Sequence, residues 1–259
     1  MARVAGLFPS DSAIRRIGSE SVLMLGGGRA LLMQVAHPVV AAAVRYHSDY
    51  EMEPWRRLAR TMTALYTIVL GTEAEAERAG AVTRSVHARV PGADDPDAQL
   101  WVHATLVDTG LTMYESFVGR LRDRDRDAFY DEMTTVAEVF GVPPAVLPPT
   151  YSAFRTYERQ TIARLRVGED ALAVARIVLA PPVPPPLRPF VRALELVTVG
   201  LLPEPLRVQY GFRWTRAHHA ALALQSRSVR TLLPATPALL RELEPERTIP
   251  MRLLAAFAR

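Results

Sequence analysis

The sequence predicts an all-α fold, a single irregular bundle of helices around a buried pocket. Apolar residues recur at helical spacing through most of the 259 residues, and no run shows the strict alternation typical of a β-strand. Prolines and glycines separate these runs at the spacing of ordinary helices. Hydrophobic residues make up 49% of the chain, which is enough to build a sizeable core.

The N-terminal segment is expected to contain little regular structure before the first long helix. Residues 1–20 fit an arm and a short helix, for which Ser10 or Asp11 is the candidate N-cap. Three glycines follow at 26–28. No strand precedes them and no phosphate-binding motif follows, so we predict a turn or a site of close helix packing.

A buried helix is predicted over residues 29–47, with a break near Pro38 because proline cannot donate the helical N–H. Three small residues, Ala41–Ala43, would let another helix or a flat ligand approach closely. His37 shares a face of this helix with Gln34, at i and i+3. Polar side chains on such an apolar helix need partners when they are buried.

The next predicted helix, residues 54–71, carries the first candidate site. Arg57, Arg60 and Thr61 are spaced i, i+3 and i+4, so they share one face. The helix is expected to end at Gly71. Two arginines and a hydroxyl beside an apolar stripe indicate that this face borders a polar pocket.

Two further predicted helices carry histidines. Residues 73–90 contain Arg84 and His87, which share a face at i and i+3, and residues 97–119 contain His103. If these helices pack antiparallel across the short turn between them, the two histidines lie within about 5 Å of each other along the helix axis. Both histidines can then face one pocket.

The second half of the chain adds amphipathic helices and one proline-rich connector. Residues 124–140 and 150–166 are predicted to be helical, and PPVPPPLRP at 181–189 to be an extended connector within a single domain, 1–259. Residues 189–203 are expected to pack over the bundle as a lid, or to form a self-association surface that would make the chain a homo-oligomer. The remaining predicted helices lie near 188–200, 204–226, 236–243 and 250–258.

Composition excludes several function classes. All 31 basic residues are arginine, which excludes Schiff-base chemistry on lysine and a Walker-type P-loop. The absence of cysteine excludes disulfides, thiolate ligation and iron–sulfur clusters, and it fits a cytoplasmic location. Acidic residues are interleaved with the arginines, so no nucleic-acid partner is indicated. No apolar run is long enough for a transmembrane span.

The six histidines form no zinc or di-iron motif, and no serine-hydrolase motif is present. Taken one at a time, a histidine is more often a hydrogen-bonded core residue than a metal ligand. The residues alone therefore indicate a polar pocket in a helical protein and leave the contents of that pocket open.

A family resemblance narrows this interpretation. The chain reads ALLMQVAHPVVAAAVRYHSDYEMEPWRRLARTMTALYTIVLG, then VTRSVHARVPG, then WVHATLVDTGLTMYESF, and later VAEVFGVP and GLLPEPLRVQYGFRWT. These ordered motifs, spread over about residues 20–220, resemble the MpaB-type oxygenase family, which is related to latex-clearing protein (rubber oxygenase). That family is α-helical, and its rubber-cleaving members bind haem b through a histidine and use dioxygen.

The resemblance implies roles for individual residues. His87, in RSVHARV, matches the axial histidine that binds the haem iron, and His103, in WVHATL, is its rival. Arg57, Arg60 and Thr61 match the distal arginine, basic residue and threonine of the family. Latex-clearing protein has a lysine where this chain has Arg60. A guanidinium stays protonated, so hydrogen bonding or propionate pairing suits Arg60 better than iron coordination.

The leading hypothesis is a haem b-dependent oxygenase that acts on a hydrophobic small-molecule substrate with dioxygen. Arg84 and His37 are then further residues of the cofactor pocket. One alternative is a non-catalytic helical protein that binds haem or an apolar ligand, and another is a histidine-ligated enzyme with a non-haem metal. A visible spectrum separates the haem hypotheses from the non-haem metal, and dioxygen consumption separates the enzyme from the binding protein.

Overall fold

Thirteen α-helices make up most of residues 6–47, 54–181 and 183–243, the part of the chain that the computed structural model describes. This part contains no strand, only two isolated β-bridges. The all-α prediction is therefore confirmed. In chain order the helices are α1 (Ala13–Gly18), α2 (Gly27–Val35), α3 (Pro38–His47), α4 (Pro54–Leu70), α5 (Glu73–His87), α6 (Pro96–Phe117), α7 (Asp123–Phe140), α8 (Tyr151–Arg164), α9 (Glu169–Leu179), α10 (Arg188–Gly200), α11 (Glu204–Gln209), α12 (Arg216–Leu232) and α13 (Ala238–Arg241).

The N-cap of α1 differs from the prediction. The Ser12 hydroxyl accepts a hydrogen bond from the backbone N–H of Arg15 at 3.4 Å, so Ser12 is the cap. Ser10 and Asp11 form the turn before the helix, which the Ser12 N–H closes by donating to the Pro9 carbonyl at 3.1 Å. The prediction of Ser10 or Asp11 was wrong because this turn uses both residues before the helix can begin.

Pro38 separates α2 from α3, as predicted. The segments Ser21–Val35 and Pro38–His47 are bent by 112° at this break. None of the described helices is by itself long and apolar enough to cross a membrane, and these two segments meet the length and composition criteria only when counted together. Along its length α3 packs against α2 and α9, and Ala41 is buried. The small residues of α3 therefore serve helix packing.

The glycine run is a place of close packing. Gly26 ends a 3₁₀ segment, Ser21–Gly26, and the next two glycines open α2. A Cβ added to Gly27 would lie 2.8 Å from Leu58 Cδ1, and one added to Gly28 would lie 2.6 Å from Thr198 Oγ1. The glycines thus allow the start of α2 to approach α4 and α10, which confirms the packing interpretation.

Helix α6 lies at the centre and runs antiparallel to α2. The Trp101 indole N–H donates to the Met33 carbonyl at 2.9 Å, and the Arg29 guanidinium meets Asp108 at 2.5 Å. Asp95 caps the helix by accepting from the N–H groups of its first turn, directly before the proline at the first helical position. Most residues of α6 are buried, so its polar side chains must find partners inside the protein.

Helices α5 and α6 do not pack along one another in the described structure, contrary to expectation. A capping box formed by Thr72 and Glu75 begins α5, which then packs against α4 and α7. Helix α6 packs chiefly against α2 and the 3₁₀ segment Ser21–Gly26, and to a lesser extent against α7 and α12. The turn between α5 and α6 therefore changes the direction of the chain rather than folding the two helices back on each other.

The C-terminal half departs from the predicted boundaries in three places. Helix α9 was not predicted, and the predicted helix 204–226 is two helices, α11 and α12, separated at Gly211, which has a left-handed φ of 74°. The proline-rich connector contains a 3₁₀ turn, Pro185–Leu187. The predicted helix 250–258 lies outside the described residues.

Candidate functional site

One pocket, of about 710 Å³ and partly open to solvent, lies between α2, α4, α9 and α10. Its walls are mainly apolar. Two charged residues, Arg57 from α4 and Glu195 from α10, line it. We call it the Arg57 pocket. The other lining residues are Leu25, Gly27, Gly28, Leu31, Leu58, Ile177, Val178, Leu179, Pro181, Val191, Leu194 and Thr198.

Of the three predicted catalytic residues, Arg57, Arg60 and Thr61, Arg57 lines the Arg57 pocket. Its side chain is half-buried, and desolvation lowers the pKa of its guanidinium. Among the described residues, no side chain or carbonyl accepts a hydrogen bond from this guanidinium, and no carboxylate forms an ion pair with it. A cation in mainly apolar surroundings without a counter-charge is costly, so the pocket favours an anionic or strongly polar ligand group.

Arg60 and Thr61 lie on α4 but are exposed. The Thr61 hydroxyl donates to the Arg57 carbonyl at 3.1 Å, within the same helix. In the described structure Arg60 has neither a hydrogen bond nor an ion pair. Arg57 lines a pocket, whereas Arg60 and Thr61, three and four positions later on the same helix, are exposed and line neither pocket.

His103 is the most unusual histidine. It is 4% exposed, and neither ring nitrogen has a hydrogen-bond partner among the described residues. Burial lowers its pKa to about 4, so the ring is neutral near pH 7. Buried polar atoms are usually paired. A neutral imidazole with two unpaired nitrogens is therefore a candidate ligand-binding group.

A second pocket, of about 550 Å³, lies on the His103 side of α6. Met62 and Tyr66 of α4 and Leu106 and Gly110 of α6 are among its lining residues, together with residues of α1, α2 and α7. His103 precedes these α6 residues by three and seven positions, so it lies on the same helix face, one turn away, but it does not itself line the pocket. We call this apolar cavity the α4–α6 pocket.

His87 and Arg84 lie near the end of α5. His87 is half-buried, its Nδ1 has no partner within the described structure, and burial lowers its pKa. Arg84 is exposed, and its guanidinium donates to the carbonyl of Val139. Its aliphatic chain also borders Gly141, where an added Cβ would lie 3.0 Å from Arg84 Cδ. Arg84 thus joins α5 to the end of α7, and neither residue lines the two pockets described.

His37 lies in the bend between α2 and α3. Its Nε2 is 3.4 Å from Asp97 Oδ2, and its buried Nδ1 has no partner among the described residues. The imidazole therefore contacts the first turn of α6. This contact joins the bend to α6 and explains why a histidine is tolerated between two apolar helices.

Sequence reasoning missed a buried cluster of charges. Arg29 donates to Asp108 at 2.5 Å, and Arg155 donates to the other oxygen of Asp108 at 2.8 Å and to Glu158. The two arginines hold the pKa of Asp108 below its usual range, whereas burial and the charge of Asp108 raise the pKa of Glu158 to about 8. The available signal was an arginine and an aspartate, each within a mainly apolar helix.

These residues fit the haem that the resemblance implies. A haem needs apolar space and one imidazole nitrogen free to bind iron. His103 and His87 each offer an unpaired nitrogen, and the α4–α6 pocket offers apolar space one helical turn from His103, although neither histidine lines it. Within the described ranges, no three histidine, aspartate or glutamate side chains lie close enough together to hold a metal ion.

Comparisons with known proteins identify the family. Residues 14–233 match the family described as "ER-bound oxygenase mpaB/B'/Rubber oxygenase, catalytic domain". Two uncharacterized proteins, from Mycobacterium bovis and Mycobacterium tuberculosis, are each 27% identical over 206 residues, which cover 72% of this chain and 79% of the relative. No solved structure matches the chain significantly. The match spans most of the sequence, and the chain therefore belongs to the MpaB/rubber oxygenase family of oxygenase catalytic domains.

Proposed function

We propose that this protein is a haem b-dependent oxygenase that acts on a hydrophobic small-molecule substrate with dioxygen. The observation that carries the proposal is the buried, neutral imidazole of His103, which has two unpaired nitrogens and lies one helical turn from α6 residues that line an apolar pocket, in an oxygenase-family domain. When bound, haem would supply the redox-active iron at which dioxygen is activated. The absence of cysteine means that the haem is held non-covalently.

Two histidines compete to be the axial ligand. The resemblance favours His87, whereas burial favours His103. His103 is almost fully enclosed and neutral, while His87 is half-buried near the end of α5. A ligating imidazole usually donates its second N–H to a partner, and the described residues provide none for either ring. Comparing the two alanine variants is therefore the direct test.

The substrate is expected to be apolar because both pockets are mainly lined by aliphatic side chains. Arg57 supplies the fixed positive charge at one of them. A desolvated guanidinium can orient an acceptor group of a substrate and can stabilise negative charge that develops on an oxygen atom. Thr61 can donate to a ligand only if its hydroxyl leaves the Arg57 carbonyl.

The cofactor is tested first. Protein purified after expression with ample haem is expected to show a Soret band and to release free haem b into acidified organic solvent, at about one haem per chain. If His103 is the axial ligand, His103→Ala should remove most haem and His87→Ala should retain it, and the reverse pattern assigns the iron to His87. The exposed His219→Ala should retain haem in either case. Stoichiometric zinc or non-haem iron without porphyrin would overturn the proposal.

A non-catalytic haem- or apolar-ligand-binding protein remains the second candidate function. The observation that favours it is the position of two residues that match the family's distal residues. Arg60 is exposed, and the Thr61 hydroxyl donates a hydrogen bond within its own helix. Dioxygen consumption with isoprenoid, lipid and aromatic substrates decides between the two functions. A haem-replete protein that consumes no dioxygen above the rate of free haem, with any of these substrates, is a binding protein.

A further inference from the structure

The Arg57 pocket combines one desolvated cation with a long apolar surface. Leu31 of α2, Leu58 of α4, and Val191 and Leu194 of α10 contribute to its apolar lining. The guanidinium of Arg57 lines the same space. An apolar wall with a single positive group is complementary to a molecule that has an apolar body and one anionic head.

The charge of Arg57 is not balanced within the described structure. The other ionisable lining residue, Glu195, is exposed and lies farther from Arg57 than an ion pair allows. Desolvation alone accounts for the lowered pKa of Arg57, which agrees with the absence of a nearby carboxylate among the described residues. A guanidinium in this position gains most from a carboxylate, which accepts two parallel N–H bonds from its planar fork.

We propose that the Arg57 pocket binds an amphiphilic carboxylate, with the carboxylate on Arg57 and the apolar body along the α2 and α10 walls. The inference that this amphiphile is the substrate rests on the proposed oxygenase function. The inference that the pocket binds it does not. Gly27 and Gly28 line the pocket at the start of α2, and they bring α2 so close to α10 that a Cβ on Gly28 would lie 2.6 Å from Thr198 Oγ1.

The test compares two ligands that differ only in the head group. The purified full chain, haem-replete where haem is bound, is titrated calorimetrically with dodecanoate and with dodecanol below their aggregation concentrations. We expect dodecanoate to bind about tenfold or more tightly, the size of effect that a charge-assisted hydrogen-bonded pair gives. Equal affinities for the two ligands, or no binding of dodecanoate, would overturn the proposal.

Variants assign the preference to one side chain. Arg57→Gln should abolish the preference for dodecanoate, and Arg57→Lys should restore part of it because the charge returns. The matched control is Arg192→Gln, which removes an exposed arginine from α10 without touching the pocket lining. Far-UV circular dichroism checks that each variant is folded. A folded Arg57→Gln protein that still prefers dodecanoate would place the anion elsewhere and refute the assignment.

The carboxylate on Arg57 has one other source, a haem propionate. In that case haem-replete protein shows no preference between dodecanoate and dodecanol, and Arg57→Gln lowers haem retention instead. This result overturns the amphiphile proposal while leaving the haem proposal intact. Conversely, if the protein lacks a Soret band but binds dodecanoate through Arg57, the oxygenase proposal is refuted and the amphiphile proposal stands.

Discussion

Replacing Arg29 by methionine tests whether the buried charge cluster holds the central helices together. The Arg29 side chain is 3% exposed and joins three segments. Its guanidinium donates to Asp108 at 2.5 Å, to Thr109 at 2.6 Å and to the Leu201 carbonyl at 2.7 Å. Methionine fills similar space but donates no hydrogen bond, so all three acceptors lose a partner in the protein interior.

The expected loss of unfolding free energy depends on the contacts that Asp108 keeps in the variant. Breaking a buried ion pair by removing one partner costs about 3–5 kcal/mol of unfolding free energy. Asp108 keeps its contact with Arg155 at 2.8 Å, which places the expected loss for Arg29→Met near the lower end, about 3 kcal/mol. For a chain of this size, that loss lowers the melting temperature by about 6–12 °C.

Thermal and urea unfolding, followed by circular dichroism at the helical minimum, measures the change. The control is Arg16→Met, because Arg16 bonds to Asp125 at 2.7 Å with a side chain that is 45% exposed, and such a surface pair contributes about 1 kcal/mol or less. The double variant Arg29→Met/Asp108→Leu should be more stable than Arg29→Met, since it removes the buried carboxylate that has lost one of its two arginine partners, while Arg155 keeps Glu158. An Arg29→Met loss no larger than that of the control would refute the reasoning.

Three further predictions follow from single side chains. Burial lowers the pKa of His103 from 6.5 to about 4. As the pH falls from 6.5 to 4, the unfolded chain therefore binds a proton at His103 before the folded protein does, and the free energy of unfolding decreases over this interval. The variant His103→Leu should flatten that dependence in urea titrations of haem-free protein at pH 4–7, and an unchanged slope would contradict it. Thr61→Val should keep its haem content and stability, since Thr61 is exposed. If the Thr61 hydroxyl acts in the transition state, the variant should turn over about 5- to 150-fold more slowly. Unchanged turnover would mean that Thr61 has a structural role only. Gly28→Val should lower the unfolding free energy by about 1–3 kcal/mol, because its Cβ would lie 2.6 Å from Thr198 Oγ1, and an equally stable variant would show that α10 can move aside.

Local signals in the sequence were sufficient for most helix positions. Proline at 38 separates two helices, glycine at 141 ends α7 in a left-handed conformation with φ 97°, and Thr72 with Glu75 forms the capping box of α5. Each of these signals depends on a residue's own backbone preferences or on partners within four positions, so it can be read from the printed order of residues.

Helix α9 and the break after α11 were missed for a different reason. The run EDALAVARIVL is short and apolar, and periodicity alone does not separate a buried helix of this length from a buried extended segment. Packing against α3 and α2 accompanies the helical conformation. Gly211, which has a left-handed backbone conformation, lies between α11 and α12, whereas the apolar periodicity had predicted one continuous helix.

The sequence by itself determined the fold class, the family, and the residue types that could bind haem. Only the tertiary structure decided which of those residues are enclosed. Arg29 meets Asp108 across 79 positions, and Arg155 reaches the same carboxylate across 47. The resemblance in the sequence favours His87 over His103 as the axial ligand, yet His103 is enclosed by the core and His87 lies half-buried near a helix end. Burial and charge pairing arise from segments distant in the chain, and local patterns carry no information about them.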